Sequence, residues 1–312
     1  MRTKNRNEKD GNTMDSMAEP AISVIMSIYN QKNKKRLEEA VNSILKQTFT
    51  DFEFIIYDDG SDRQLAEYLQ RFRQTDPRVI VISNPENHGL AYSLNTCIHA
   101  AKGKYLARMD DDDISAGNRL QVQYEFMESH PEVAYAGCNA KLLDDNGVWG
   151  VRRMPEKPKK ETFLKCSPFI HPTVMIRRKV FEEGNSYNDS RENWRCEDYE
   201  LFMRLQKRGY RGQNIQRDLF FYREDRDSYA KRKFCYRMDE MRIRYRNFKE
   251  LGILYPLGWF YVIRPLLAAA VPAGLIWRAK KLYHSQDVRY EEWNWEKEEA
   301  VSENFEKTST VV

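Results

Sequence analysis

The sequence predicts an α/β fold: a mostly parallel sheet that turns mixed in its second half, flanked by helices and followed by a helical C-terminal extension. Three observations predict it. Between residues 21 and 109, short and nearly continuous apolar runs alternate with segments of helical spacing, the pattern of consecutive βαβ units. Three of those runs end in polar loops. Beyond residue 117 the chain reaches Asp145-Asn146-Gly147, whose composition suits the tight hairpin that joins antiparallel strands.

Four strands stand out, at 22–29, 52–57, 79–83 and 105–109, each rich in β-branched or aromatic residues and apolar almost throughout. Strands covered on both faces have that composition. Helical spacing occupies 35–47, 63–73 and 90–101 between them. The loops Asn30-Gln31, Asp58-Asp59-Gly60-Ser61-Asp62 and Asp110 to Asp113 follow three of the strands. They are expected on one rim, because open α/β sheets bind ligands at the carboxyl ends of their strands. A helix at 118–129 should lead to an apolar run at 133–138 and a hairpin across 142–149. A charged loop at 155–160 precedes a further α/β stretch that closes with a helix at 198–208, where Gly209 stands as a C-cap. The expected organisation is a disordered leader at 1–19, a main domain at 20–225, a helical region at 226–284 and an acidic tail at 285–312.

The 312 residues are enough to bury a core without disulfides. Five scattered cysteines without C-x-x-C spacing argue against a disulfide framework or a cysteine zinc site and fit a reducing, cytoplasmic setting. The five histidines likewise lack metal-ligand spacing. With 51 basic and 47 acidic residues the net charge is only +4, which gives no basis for a nucleic-acid partner. Residues 1–19 are polar and lack the apolar core of a secretory signal.

Two constellations carry the candidate chemistry. Four consecutive aspartates after a buried strand repel one another, and a hard divalent cation such as Mg²⁺, bound through one or two carboxylates plus substrate phosphates, would relieve them. The plainer alternative is a solvated turn that caps the next helix. Glu197-Asp198 opens an apolar helix, where an acid is favoured by the helix dipole. A carboxylate there would equally serve as a general base toward an acceptor hydroxyl. Asp58-Asp59-Gly60-Ser61-Asp62 adds side chains able to accept from a base or ribose, although Asp-Gly-Ser is ordinary turn composition. His171, before a strand, is either packed or set on the acceptor side.

In order along residues 20–222, the chain carries Ser23-Val24-Ile25-Met26-Ser27-Ile28-Tyr29-Asn30, Ile55-Ile56-Tyr57-Asp58-Asp59-Gly60-Ser61-Asp62 and Asn87-His88-Gly89-Leu90-Ala91. Gly103 to Asp113, His171-Pro172-Thr173-Val174-Met175 and Glu197-Asp198-Tyr199-Glu200-Leu201 follow. Together these six stretches resemble the family 2 glycosyltransferases of the GT-A fold. Tyr222-Arg223-Glu224-Asp225, with the basic helix and Pro-punctuated apolar segment beyond it, is similar to bacterial exopolysaccharide-biosynthesis enzymes of the EpsE-like kind. The resemblance implies a nucleotide-sugar donor held by Ser27, Tyr29, Asp58 and Asp59, with Tyr29 near a uracil ring and Asp59 accepting from its N3–H. It puts the family's D-x-D on Asp110 and Asp112, with Asp112 the direct ligand of Mg²⁺ or Mn²⁺ and Asp111 or Asp113 near the ribose or donor sugar. Asp198 becomes the base of an inverting transfer, and Glu197, Tyr199 and His171 shape the acceptor site. The processive Q-x-x-R-W pattern is absent, so the expected reaction moves one sugar to a glycan or lipid-linked acceptor. A sugar-phosphate nucleotidyltransferase and a non-catalytic binding protein on the same fold are the rival readings.

Residues 228–250 read as a basic helix. Residues 251–277 are the most apolar stretch, but Arg264 and Pro256, Pro265 and Pro272 divide it into runs too short to span a bilayer. Two segments lying in the membrane interface suit it, with Trp259, Tyr261, Trp277, Arg278, Lys280 and Lys281 as anchors. The alternative is an appendage packed on the main domain. The expected location is cytoplasmic, peripheral at the inner face of the plasma membrane.

Overall fold

The computed structural model of the chain describes residues 19–224 and 234–285. Most of the expected leader and acidic tail, and the start of the expected helical region, lie outside the described residues. The strands are β1 (Ile22–Ile28), β2 (Phe52–Asp59), β3 (Val79–Asn84), β4 (Tyr105–Met109), β5 (Ile114–Ser115), β6 (Tyr135–Asp144), β7 (Gly147–Arg152), β8 (Met175–Arg177) and β9 (Gly212–Arg223). They form one sheet in the order β3-β2-β1-β4-β8-β6-β9-β5, with β7 paired to β6.

Side-chain alternation explains why this sheet is covered on both faces. In β1 and β2 the even-numbered Val24, Met26, Phe54 and Ile56 enter one apolar layer, while the odd-numbered Ile25, Ile55 and Tyr57 enter the other. The first layer receives α1 (Lys34–Leu45) and α2 (Arg63–Thr75) through Leu37, Val41, Ile44, Leu65 and Leu69. The second receives α3 (Leu90–Ala100) and, after α4 (Arg119–Ser129) and α5 (Arg178–Glu182), α6 (Glu197–Lys207). Glu53 is an acid inside this frame. It accepts from Ser23 Oγ and from the Lys102 backbone N–H, both at 2.6 Å, and so fixes the entry to β4.

β1 pairs in parallel with both β2 and β4, and β2 with β3. The strand order therefore reverses at β1 and β4, where a crevice opens at the carboxyl ends of an α/β sheet. Beyond it the sheet is mixed, as the sequence predicts: β8 is antiparallel to β4 and β6, and β7 to β6, whereas β9 runs parallel to β6. The turn at Asp145-Asn146 joins β6 to β7, with Gly147 at φ +111. The long strand β9 is an addition to the expected elements, since its polar Gln213-Asn214 and Gln216-Arg217-Asp218 interrupt the apolar run.

Three further helices are α7 (Phe234–Glu250), α8 (Gly258–Leu267) and α9 (Ala273–His284). No helix among the described residues is long and apolar enough to cross a membrane. Most of the expected interface anchors face the protein instead, because α9 must itself bury one side. Trp277 meets the Trp149 ring at 5.0 Å, Lys280 pairs with Glu224 at 2.5 Å and Lys281 with Asp144 at 3.8 Å. Tyr261 packs on the core. Only Trp259 and Arg278 of that set are exposed.

Candidate active site

The loops at the crevice are stitched to one another. Left-handed Asn30, at φ 47, donates its N–H to Ser61 Oγ and accepts from Asp62 N–H through its own side chain, both at 3.0 Å. Gln31 opposes the rise of the Asp111 carboxyl. Asp62 in turn caps α2 by accepting from Leu65 N–H at 2.9 Å. Tyr29, at the end of β1, is 53 % exposed and presents a ring at the rim, while Ser27 is partly buried two residues before it. Asp58 accepts from Ser61 N–H at 3.0 Å. Asp59 is almost wholly buried and accepts from Asn87 Nδ2 at 2.9 Å, His88 N–H at 3.0 Å and Gly89 N–H at 2.8 Å. Its carboxylate thus holds the loop that enters α3, a task it would combine with any contact to a base.

The four aspartates form the turn between β4 and β5. They do not cap a helix, because the cap of α4 is Asn118, five residues beyond Asp113. Asp113 is buried, one oxygen accepting from Arg223 N–H at 2.6 Å and the other without a partner. Arg223, from β9, also donates to the Asp112 carbonyl at 2.8 Å and pairs with Glu39 of α1 at 3.0 Å. Burial and then the neighbouring charges of Asp112 and Asp110 push the Asp111 carboxyl up to about 8. Burial and then Asp110 push Asp112 up to about 6, against the pull of Arg223, Arg36 and Arg108. Asp113 is raised as well, first by burial. The turn is short of positive charge in the way a divalent cation corrects. Its all-oxygen donors suit Mg²⁺ or Mn²⁺. Among the described residues no three His, Cys, Asp or Glu side chains gather as a complete metal cage, and a metal-diphosphate unit held by one or two carboxylates requires none.

Glu197 and Asp198 begin α6, whose N-cap Cys196 makes no side-chain cap bond. Burial, and then the Asp198 charge, pushes Glu197 up to about 7, and its Oε2 is buried without a hydrogen-bond partner. Asp198 is raised by burial, opposed by the N–H groups of Tyr199 and of Asp198 itself and by the Arg108 and Arg152 charges.

Arg108, on β4, is within electrostatic reach of both acidic groups. It forms an ion pair with Asp110, and its Nε is buried without a hydrogen-bond partner. Its charge acts on Asp111, Asp112 and Asp113 and also on Glu197, Asp198 and His171. A Coulomb interaction falls off with distance, so the two carboxylate groups share one neighbourhood. His171 contacts the buried Tyr187 hydroxyl at 2.7 Å, and burial, then Arg108, holds its imidazole well below the usual range. Tyr187 also senses Asp198, Glu197 and Asp110.

Tyr199 is the expected acceptor residue that the structure does not bring to the crevice. Its hydroxyl donates to the Phe163 carbonyl, its ring stacks on Phe163 and the Arg244 guanidinium lies 4.9 Å from the ring centre. The next position along α6 turns the side chain toward α7, where apolar burial claims it. Arg108, Tyr187 and Arg223 are additions. A lone arginine in an otherwise apolar strand was the available signal, because a buried charge requires partners.

Residues 23–184 match the family model described as Glycosyl transferase family 2. The chain is 36 % identical to the glycosyltransferase EpsE of Bacillus subtilis (strain 168) over 271 residues, covering 86 % of this chain and 95 % of that protein. It is 30 % identical over 215 residues to the amylovoran biosynthesis glycosyltransferase AmsE of Erwinia amylovora, covering 68 % and 79 %. In structure it is similar to S. aureus TarS 1–349, crystallised in complex with UDP-GlcNAc, at a TM-score of 0.58 and 17 % identity over 77 % of this chain and 73 % of that one.

Proposed function

This chain belongs to glycosyltransferase family 2 and has the GT-A fold, and from that premise we propose that it moves one sugar from a nucleotide-sugar to a glycan or lipid-linked acceptor, with inversion and with Mg²⁺ or Mn²⁺. A uridine nucleotide is the proposed carrier, and exopolysaccharide synthesis the setting, in keeping with the likeness to TarS and AmsE. The catalytic unit is residues 20–225, and residues 226–284 make peripheral contact with the inner face of the plasma membrane.

The observation that carries the reading is that one buried arginine, Arg108, pairs with Asp110 and also acts electrostatically on Glu197 and Asp198. It supports a donor side and an acceptor side within one crevice. On the donor side Ser27, Tyr29, Asp58 and Asp59 bind the nucleoside, and Asp111 the ribose or sugar. Asp112, with Asp110, would hold the metal, which when bound neutralises charge on the departing diphosphate. On the acceptor side Asp198 takes the proton of a hydroxyl as that oxygen attacks the anomeric carbon. The carbon–oxygen bond to the diphosphate breaks on the opposite face, and its electron pair leaves with the nucleoside diphosphate. Glu197, its carboxyl raised to about 7 by burial and then by the Asp198 charge, and His171, kept neutral by burial and fixed on Tyr187, line the acceptor pocket.

The test is a panel of nucleotide-sugars with Mn²⁺ or Mg²⁺ and candidate acceptors, read by nucleoside-diphosphate release. Acceptor-dependent release supports the transfer. Pyrophosphorolysis of the donor without acceptor would support a nucleotidyltransferase and overturn it.

A further inference from the structure

The C-terminal helices carry an exposed apolar face that the fold leaves uncovered. Of sixteen exposed large hydrophobic residues among the described ones, ten lie from Tyr255 to Tyr283. On α8 the outward positions are Phe260, Ile263 and Leu267, 60 %, 42 % and 55 % exposed, one helical turn apart. Leu257 precedes them at 66 %. On α9, Leu275 and Leu282 stand 56 % and 71 % exposed at a seven-residue spacing, with exposed Arg278 between them. A monomeric soluble protein rarely leaves so many large side chains together in water.

We infer that this face docks in the headgroup region of an anionic bilayer, and that the acceptor is therefore a lipid-linked sugar presented at that surface. The inference rests on the glycosyltransferase reading and narrows its acceptor class. Charge selects the occupant. The exposed charged side chains of residues 251–285 are Arg264 and Arg278, and the segment has no Asp or Glu, so the face complements anionic headgroups, whereas a second copy would set like charge against like. Helices of 10 and 12 residues are too short to span a bilayer but suit an in-plane seat, with aromatic Tyr255 and Trp259 at headgroup depth.

The opposite face of α9 couples this surface to the acceptor side. His284 contacts the Val151 carbonyl of β7 at 3.1 Å, and Lys280 pairs with Glu224. The next residue of β7, Arg152, acts electrostatically on His284 and on Asp198. The inner face of α9 thus packs on β7, whose Arg152 is within electrostatic reach of Asp198.

The experiment is flotation of the full-length protein with phosphatidylcholine vesicles, with and without phosphatidylglycerol, beside a variant carrying Phe260→Ser, Ile263→Ser and Leu267→Ser. The wild type should float with the anionic vesicles, and the variant should bind them roughly tenfold or more weakly, as expected when inserted apolar area is lost. Thermal stability and nucleotide-sugar turnover on a detergent-dispersed acceptor should be unchanged, since these side chains touch neither core nor crevice. No binding by the wild type, equal binding by both proteins, or a wild-type dimer that the three substitutions dissociate would each overturn the inference. Vesicle binding without any nucleotide-sugar turnover would instead defeat the glycosyltransferase reading.

Discussion

Arg108 and Asp110 form an ion pair at the carboxyl end of β4 in which the arginine side chain is 4 % exposed and the aspartate 32 %. The pair sits two residues apart on one strand end, so β4 delivers both the cation and the first acid of the turn. Burial would drive the guanidinium toward its neutral form, yet Asp110 holds its proton more tightly than usual. The cation is a fixed charge that lets three more aspartates and Asp198 coexist.

Arg108→Met should accordingly lower the stability of the metal-free protein by about 3–5 kcal/mol, the usual penalty for leaving one member of a buried pair alone. Added Mn²⁺ should recover part of it by supplying positive charge to the same turn, so the melting temperature of the variant should respond more to Mn²⁺ than that of the wild type. Equal responses would separate Arg108 from the acidic turn.

Asp198→Asn keeps the side-chain shape at the start of α6 but removes the base. Turnover should fall by ~10²- to 10⁴-fold, the range of a general base. Turnover within a few-fold of wild type would remove Asp198 from the mechanism.

Glu197 connects stability to pH. Its carboxyl is raised to about 7 in the fold, from an ordinary 4.5, so between those values the native state binds more protons than the unfolded one and stability declines as pH rises. Glu197→Gln should remove that decline: it should be more stable than wild type at pH 8, by up to roughly 3 kcal/mol, with the advantage gone near pH 4.5. Because Asp198 ionises while Glu197 still carries its proton, the acid limb of kcat/KM should by contrast stay in place in this variant. Melting curves and rate profiles across pH 4.5–8.5 check both expectations.

Arg223 ties the acidic turn to β9 and α1 through Asp113, the Asp112 carbonyl and Glu39. Arg223→Met should loosen the turn and raise the Mn²⁺ concentration needed for half-maximal activity, on the order of tenfold. A purely structural role would lower the melting temperature and leave that requirement unchanged.

The parts of this molecule that were legible in the sequence are those where one physical pattern dominates. Strands β1, β2 and β4 are apolar runs buried on both faces and β3 is an apolar run at the sheet edge, so their positions and the rim of acidic loops follow directly. β9 was hidden because its first half pairs through the backbone while Gln216, Arg217 and Asp218 face outward or sideways. The family resemblance implies an acceptor-pocket place for Tyr199, but helical periodicity turns it to the core, toward α7. Trp277, Lys280 and Lys281 had the composition of interface anchors, and composition does not say which side of a helix meets the protein. Arg108 was in plain view within an apolar strand, where its partners are set by tertiary structure.

The most direct test of the two-sided crevice is UDP binding by calorimetry with Mn²⁺ present, performed on wild type, Asp112→Ala and Asp198→Asn alongside their turnover. Wild-type UDP affinity in Asp198→Asn with turnover abolished, and loss of both affinity and turnover in Asp112→Ala, is the predicted result. An Asp112→Ala protein that binds UDP·Mn²⁺ and turns over like wild type would contradict the account.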